Sequence, residues 1–379
     1  MKIEQNIWRK KEGWAAPFPS PLCEKAGVVF VFGATHLMKN KTLTDDIKNC
    51  YKNAHIIGCS SAGEIASTSV MDDSLTVTAA SFDKTEISCC SVKISGPENS
   101  FSGGEEIAEK MAKNNLKHLF VLSDGLAVNG SELVRGLSKK IQAPVTITGG
   151  LAGDGENFKE TYILSNEGAE KNSIRAVGFY GNHIRTGAGS YGGWDPFGPE
   201  RLVTKSKGNI LYELDWKPAL DLYKKYLGEY AASLPSSGLL FPLSIREKDK
   251  RINFVRTILG IGEKEQSLIF AGDIPEGSYA RMMKANFDRL IDGAVHAAKE
   301  SVKALKSEEP QLAILISCIG RKLILKQRVE EEVEGVQEIM GNKAVLTGFY
   351  SYGEIAPYPN DTKCALHNQT MTVTTFMEI

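Results

Sequence analysis

No run of apolar residues in this chain approaches the roughly 20 that a membrane-spanning helix needs. The opening stretch, MKIEQNIWRKKEGW, carries charge without an apolar segment, so it does not read as a secretory leader. Clustered positive charge is missing as well. Forty-five Lys and Arg residues stand against 46 Asp and Glu, which speaks against nucleic-acid and polybasic membrane partners. The 7 cysteines (Cys23, Cys50, Cys59, Cys89, Cys90, Cys318, Cys364) form no CxxC pair and no Cys/His zinc spacing. Most sit in apolar runs, where a free thiol packs as a small hydrophobe. The expectation is a reduced, cytoplasmic protein without a metal site. No GxSxG elbow, P-loop, HExxH or c-type haem motif occurs, so no enzyme template applies and no catalytic residue is assigned.

What is present is repetition. GCSSAGEIA at 58–66 returns as GFYSYGEIA at 348–356. Each copy follows a short apolar run and precedes a segment with Thr-Val-Thr, at 76–78 and 372–374. The echo belongs to a larger unit. VVFVFG (28–33), HLFVLSDG (118–125) and LAILISCIG (312–320) read as buried strands. Each leads into an amphipathic helix, then a second strand, then a Gly-rich turn bearing Glu64, Asp154 or Glu354. Strand–helix–strand units make right-handed crossovers between parallel strands, and their turns emerge at strand C-termini, where open α/β sheets build ligand crevices.

The runs 74–82, 86–94, 174–180, 184–190, 239–245, 252–259 and 267–271 read as added antiparallel strands. PALDLYKKYLGEY reads as a helix with Pro218 in its first turn. The longest helix is predicted over 281–306, with KSEEP ending it. EEEVE (330–334) reads as the solvated face of another helix. The fold class is therefore α/β, in two domains built from repeated strand–helix–strand units with additional antiparallel strands. The expected division is 1–24 as an N-terminal extension, then 25–210 and 211–379, with the Gly- and Pro-rich stretch near 200–215 as the boundary.

GWDPFGPERLVTKSKGNILYELD, PALDLYKKYLGE, ISCIGRKLILKQRVEEE, GFYSYGEIAP and LHNQTMTV together resemble the FIST proteins, from about 25 to 379. The resemblance implies a sensory module with FIST N-terminal and C-terminal domains. It implies binding of a small polar ligand, an amino acid for example, and output through a separate partner. Some stand-alone members are haem-binding nitric oxide sensors that regulate a histidine kinase. Haem and a histidine kinase are thus an alternative cofactor and partner. No kinase, cyclase, DNA-binding or F-box segment is recognised within these residues, so output is expected from another protein.

The candidate ligand residues cluster in the third unit: Ser317, Cys318, Arg321, Tyr350, Tyr352, Glu354, His367 and Asn368. Ser317, Cys318 and Arg321 are expected at the exposed end of a strand. Arg321 offers a planar fork for a carboxylate, or pairs with Glu354. Glu64 and Glu354 either hold a ligand ammonium beside exposed backbone N–H groups or bond their own loops. His367 to Thr370 form a polar ligand wall or tie down a loop. His367 would be the haem iron ligand only if haem is bound. An enzyme using Cys318 or the paired Glu turns is a further alternative.

Overall fold

The computed structural model describes residues 1–248, 253–305, 309–358 and 363–379. Three units of one design form the centre. In the first, Val28–Gly33 leads through the helix Lys41–Cys50 into the parallel strand His55–Ser60, and Ser74–Ser81 returns antiparallel on the other side of the lead strand. In the second, Leu116–Ser123, the helix Gly130–Lys140, Thr146–Leu151 and Ser173–Tyr180 repeat this order. In the third, Leu312–Cys318, the helix Val329–Met340, Val345–Ser351 and Met371–Glu378 do so again. The lead strands are apolar on both faces because both faces are covered. Asparagines start two of the crossover helices: Asn40 accepts from the Thr42 and Leu43 N–H groups, and Asn129 from those of Ser131 and Glu132.

The units are joined by exchanging strands. After its turn, the first unit sends Glu64–Ala66 onto Val345–Ser351 of the third. The third sends Gly353–Pro357 onto Thr146–Leu151 of the second. The second sends Ile163–Leu164 onto His55–Ser60 of the first. The exchange closes a ring with pseudo-threefold symmetry. A further strand widens each sheet: Lys2–Arg9, Glu86–Lys93 and Ile184–Tyr191. A core fills the space between the three sheets, with rings contributed by all units. Phe30 meets Phe120 at 5.5 Å, Phe32 stacks on Phe349 at 4.8 Å, and Phe179 meets Phe376 at 4.9 Å.

Between the second and third units the chain builds a separate β-subdomain. It runs from Asp195–Lys207 to Tyr279–Lys284, includes the helix Ala219–Leu227, and has its own core around Leu211, Tyr223, Ile245 and Phe270.

Several expectations are corrected. The predicted helix over 281–306 is divided: Tyr279–Lys284 is a strand paired with Asp195–Lys207 and Leu243–Arg246. The helix begins at Phe287, where the Asn286 side chain accepts from Arg289 N–H. Part of its expected stop, at 306–308, lies outside the described residues. The run 239–245 splits into a 3-10 turn, Ser236–Leu240, and the strand Leu243–Arg246. The run 252–259 divides into Asn253–Arg256 and Ile258–Gly262, and its residue 252 lies outside the described residues. Pro218 stands one place earlier than expected, at the N-cap. Cys23 and Cys50 form a disulfide rather than two free thiols.

Gly58, Gly149 and Gly348 occupy the same place in the three units, opposite Val31, Val121 and Leu315. A Cβ there would lie 2.3, 1.8 and 1.9 Å from the carbonyl oxygens of those residues. The parallel strands approach too closely for any side chain. Gly348→Ala is therefore expected to lower stability by roughly 1–3 kcal/mol, read as a lower urea midpoint at unchanged slope.

Candidate functional site

The third unit supplies most of the candidate residues, and the structure divides them into separate groups. Arg321 is fully buried rather than at an exposed strand end. Its Nε and Nη2 donate to Glu332 Oε2 at 3.0 and 2.7 Å. Nη1 donates to the Gly192 carbonyl at 2.5 Å and Nη2 to that of Leu290 at 2.6 Å. Glu332 Oε1 accepts from Ser317 Oγ at 3.0 Å and from the Tyr350 hydroxyl at 2.7 Å. Arg321 thus pairs with Glu332, not Glu354. The acidic run 330–334 is not wholly solvated, because Glu332 faces inward with Val333 and Val336. Ser317, Arg321, Tyr350 and Glu332 satisfy one another and leave no free donor fork for a ligand. A buried ion pair of this kind holds only when its remaining valences are met.

Glu64 and Glu354 play equivalent parts. Glu64 accepts from Ser61 Oγ, from Ser74 N–H at 3.2 Å and from Ser74 Oγ at 2.7 Å. Glu354 accepts from Ser351 Oγ at 2.7 Å, Thr370 N–H at 3.2 Å and Thr370 Oγ1 at 2.9 Å. Each acid binds its own turn and the start of its unit's return strand. Burial, only partly offset by these donors, pushes both carboxyls up to about 7. In the second unit Asp154 accepts from the N–H groups of Phe158, Lys159 and Glu160 at 2.8 to 3.0 Å and from the Tyr352 hydroxyl at 2.5 Å.

The turns meet the inserted subdomain around a cavity of about 310 Å³. Cys318 and Tyr352 of the third unit form one wall, Gly125 and Asn129 of the second unit another, and Thr257 and Phe270 of the subdomain a third. Tyr352 stacks on Phe158 at 4.3 Å with an interplanar angle of 13°. Among the described residues, no Asp, Glu, Lys, Arg or His lines this space. Two features single it out as the candidate site. First, Thr257 Oγ1 is buried there without a protein partner. A buried hydroxyl left unpaired is destabilising, on the order of 1–3 kcal/mol. Second, Leu126, Phe158 and Leu259 are 40, 39 and 45 % exposed on its walls, an apolar mouth open to water.

His367 and Asn368 lie behind this wall. The His367 ring, through Nε2, contacts the Ala356 carbonyl at 3.0 Å and meets Tyr358 edge-on. Burial, with the Arg256 charge nearby, holds it down to about 4, so the imidazole is neutral. Asn368 is buried beside Gly353, and both polar atoms of its amide lack a protein partner. The residues do not fit a haem: no histidine borders the cavity, and His367 Nε2 is occupied by a backbone carbonyl. Of the eight residues singled out by sequence, the structure brings Cys318 and Tyr352 to the cavity. Thr257, Asn129 and Phe158 were not singled out. Only Asn129 carried a signal, as the polar residue opening a helix.

Fold and site define an α/β binding protein with an uncharged cavity where its repeated units meet an inserted subdomain. The chain belongs to the FIST family: the FIST N domain matches residues 27–217 and the FIST C domain residues 219–357. Membership places it among signal-transduction sensors of small ligands. It is similar to the uncharacterized protein MJ1623 of Methanocaldococcus jannaschii, with 25% identity over 366 residues, covering 89% of this chain and 67% of that one. Among solved structures it aligns with a cyanuric acid hydrolase from A. caulinodans at 10% identity, over 78% of this chain and 99% of that one. The TM-score there is 0.20, too low to carry an argument. No helix among the described residues is long and apolar enough to cross a membrane.

The raised carboxyls generate a test. Folded Glu354 keeps its proton to about pH 7, while the ordinary carboxyl value is 4.5. Between these values the folded state binds the extra proton, so this group's contribution to stability is lost as pH rises. The expected loss is on the order of 3 kcal/mol. Glu354→Gln removes that dependence. Urea midpoints at pH 4.5 and 7.5 should therefore converge for the variant relative to wild type. Equal pH dependence in both proteins would contradict a raised carboxyl at this position.

Proposed function

We propose that this chain is a receptor for a small, uncharged, partly apolar molecule held in the cavity between the inserted subdomain and the turns. The observation that carries this reading is the composition of the wall among the described residues: apolar and aromatic side chains, an unpaired Thr257 hydroxyl, and no ionised group. Such pockets take most of their affinity from apolar burial and their orientation from a few polar groups. An amino-acid zwitterion, the ligand class of the family resemblance, would bring two charges against a wall with no counter-charge. Desolvating an unpaired ion costs several kcal/mol. The Arg256 guanidinium lies behind Gly272, and its Nε and Nη1 already donate to the carbonyls of Asp273 and Leu366 at 3.1 Å.

Binding, rather than catalysis, is the reading these residues favour. Burial raises the Cys318 thiol far above its ordinary value, so no thiolate nucleophile is available. The Glu turns are closed on themselves. Signalling would follow from population shift. A ligand touching Thr257 and Ala271 on one side and Cys318 and Tyr352 on the other favours the arrangement that closes both on it. A separate protein would read that arrangement.

A thermal-shift panel tests this. Uncharged ring compounds should raise the melting temperature, and free amino acids should not. Ala271→Leu, which fills the cavity from a partly exposed position, should abolish the shift while leaving the fold intact. Thr257→Val should leave the unliganded protein as stable or up to about 1 kcal/mol more stable, and weaken a hydrogen-bonding ligand several-fold. A shift given by amino acids alone and unaffected by Ala271→Leu would overturn the proposal.

A further inference from the structure

The cavity uses none of the residues around Arg175. This side chain lies in the return strand of the second unit, is 5 % exposed, and lines a separate depression of about 480 Å³ with Lys52, His55, Ser91 and Asn166. Its Nη1 donates to Ser91 Oγ at 2.8 Å and its Nη2 to Asn166 Oδ1 at 3.0 Å. Its Nε is buried without a protein partner. These neighbours are neutral. Among the described residues the carboxylate that pairs with it, Glu167, stands 3.9 Å away, is 73 % exposed, and accepts from Ser165 Oγ at 2.6 Å. A nearly buried guanidinium is therefore compensated by a long, solvated ion pair, and one of its donors, the Nε–H, has no protein partner.

Around it the depression is basic. Lys52 is exposed on the turn that leads into the strand His55–Ser60. His55 begins that strand, with burial and then the Arg175 charge holding its imidazole below the ordinary value. The other titratable groups facing it are Glu167 and the Cys89 and Cys90 thiols, which burial pushes up to about 12 and about 11, so they add no negative charge. Among the described residues that line the depression, two permanent cations and one protonatable ring thus face one carboxylate, while Glu106, Lys110 and Lys113 act on Cys90 from outside that lining.

We propose that this depression binds a phosphate-class oxyanion carried by a small soluble molecule, with Arg175, Lys52 and a protonated His55 as its donors. A guanidinium and an ammonium converging on one space suit a multiply charged oxyanion, which takes short charge-assisted hydrogen bonds from both. The incoming charge offsets the repulsion that Arg175 exerts on His55, so the ring takes up a proton as the anion arrives. The site is independent of the ligand cavity and shares no residue with it.

The test follows the His55 ring by NMR in isotopically labelled whole chain, with its signal assigned by His55→Gln. In inorganic phosphate, against chloride at equal ionic strength, the His55 pKa should rise saturably by about one pH unit. Glycerol phosphate should do the same. Lys52→Gln, at an exposed position that leaves the fold alone, should weaken the phosphate midpoint several-fold. Identical His55 titrations in phosphate and chloride would overturn the proposal, as would a phosphate midpoint untouched by Lys52→Gln. Retention by anionic vesicles, with no response to glycerol phosphate, would overturn the soluble source.

Discussion

Three backbone hydrogen bonds hold the centre of this molecule. The carbonyl of Ser60 accepts from Gly153, that of Leu151 from Tyr352, and that of Tyr350 from Ala62, at 2.9, 3.2 and 2.8 Å. Each bond joins the second strand of one unit to the turn of another, and together they close the ring of exchanged strands. Once the ring buries these carbonyls, leaving them unpaired would be costly, which native proteins avoid. The acids follow from the same constraint. Glu64 and Glu354 anchor each turn to its own return strand, and Asp154 gathers the N–H groups of the loop that leads toward Ile163–Leu164. The Gly-Glu echo is therefore a property of the joint, repeated because the joint is repeated.

The Arg321–Glu332 pair extends this logic outward. It ties the end of the third lead strand to the helix Val329–Met340, the start of Phe287–Lys303 and the loop at Gly192. Replacing a whole buried ion pair with matched apolar groups is often neutral, whereas losing one partner strands a charge. Its importance here lies in fixing geometry. The same strand end presents Cys318 to the cavity, so the network sets where the cavity wall stands.

Continuous apolar runs such as VVFVFG and LAILISC are legible as buried parallel strands because nothing else buries both faces of so short a segment. The repeated turn is legible as a repeated unit for the same local reason. Strand exchange is not legible. A three-residue strand such as Glu64–Ala66 carries no mark of its partner, which is chosen by the closure of the whole ring. Residues 281–284 of the strand Tyr279–Lys284 read as the start of a helix because Met282 and Met283 suit either period, and only pairing decides. Glu332 was visible in principle. It sits three residues after Val329 and four before Val336, squarely in the apolar stripe, and a charge in that stripe signals a buried partner. The cavity was half legible. Its turn residues come from the repeat, but Thr257 arrives by docking of the inserted subdomain, which no local pattern encodes.

These assignments explain why the cavity is neutral although it is built at the most acidic corners of the repeat. Glu64, Asp154 and Glu354 at those corners are already committed to holding turns, and Arg321 is committed to Glu332. What remains to face the cavity is the material between the anchors: Gly125, Cys318, Tyr352 and the apolar face of the subdomain. Glu354 and Asp154 could bind a ligand ammonium only by releasing Thr370 and the Phe158–Glu160 loop. That release would loosen the joint on which the exchanged strands depend. Under the proposed function, architecture and ligand charge are coupled: a ring held by its acids would select ligands that do not compete for them.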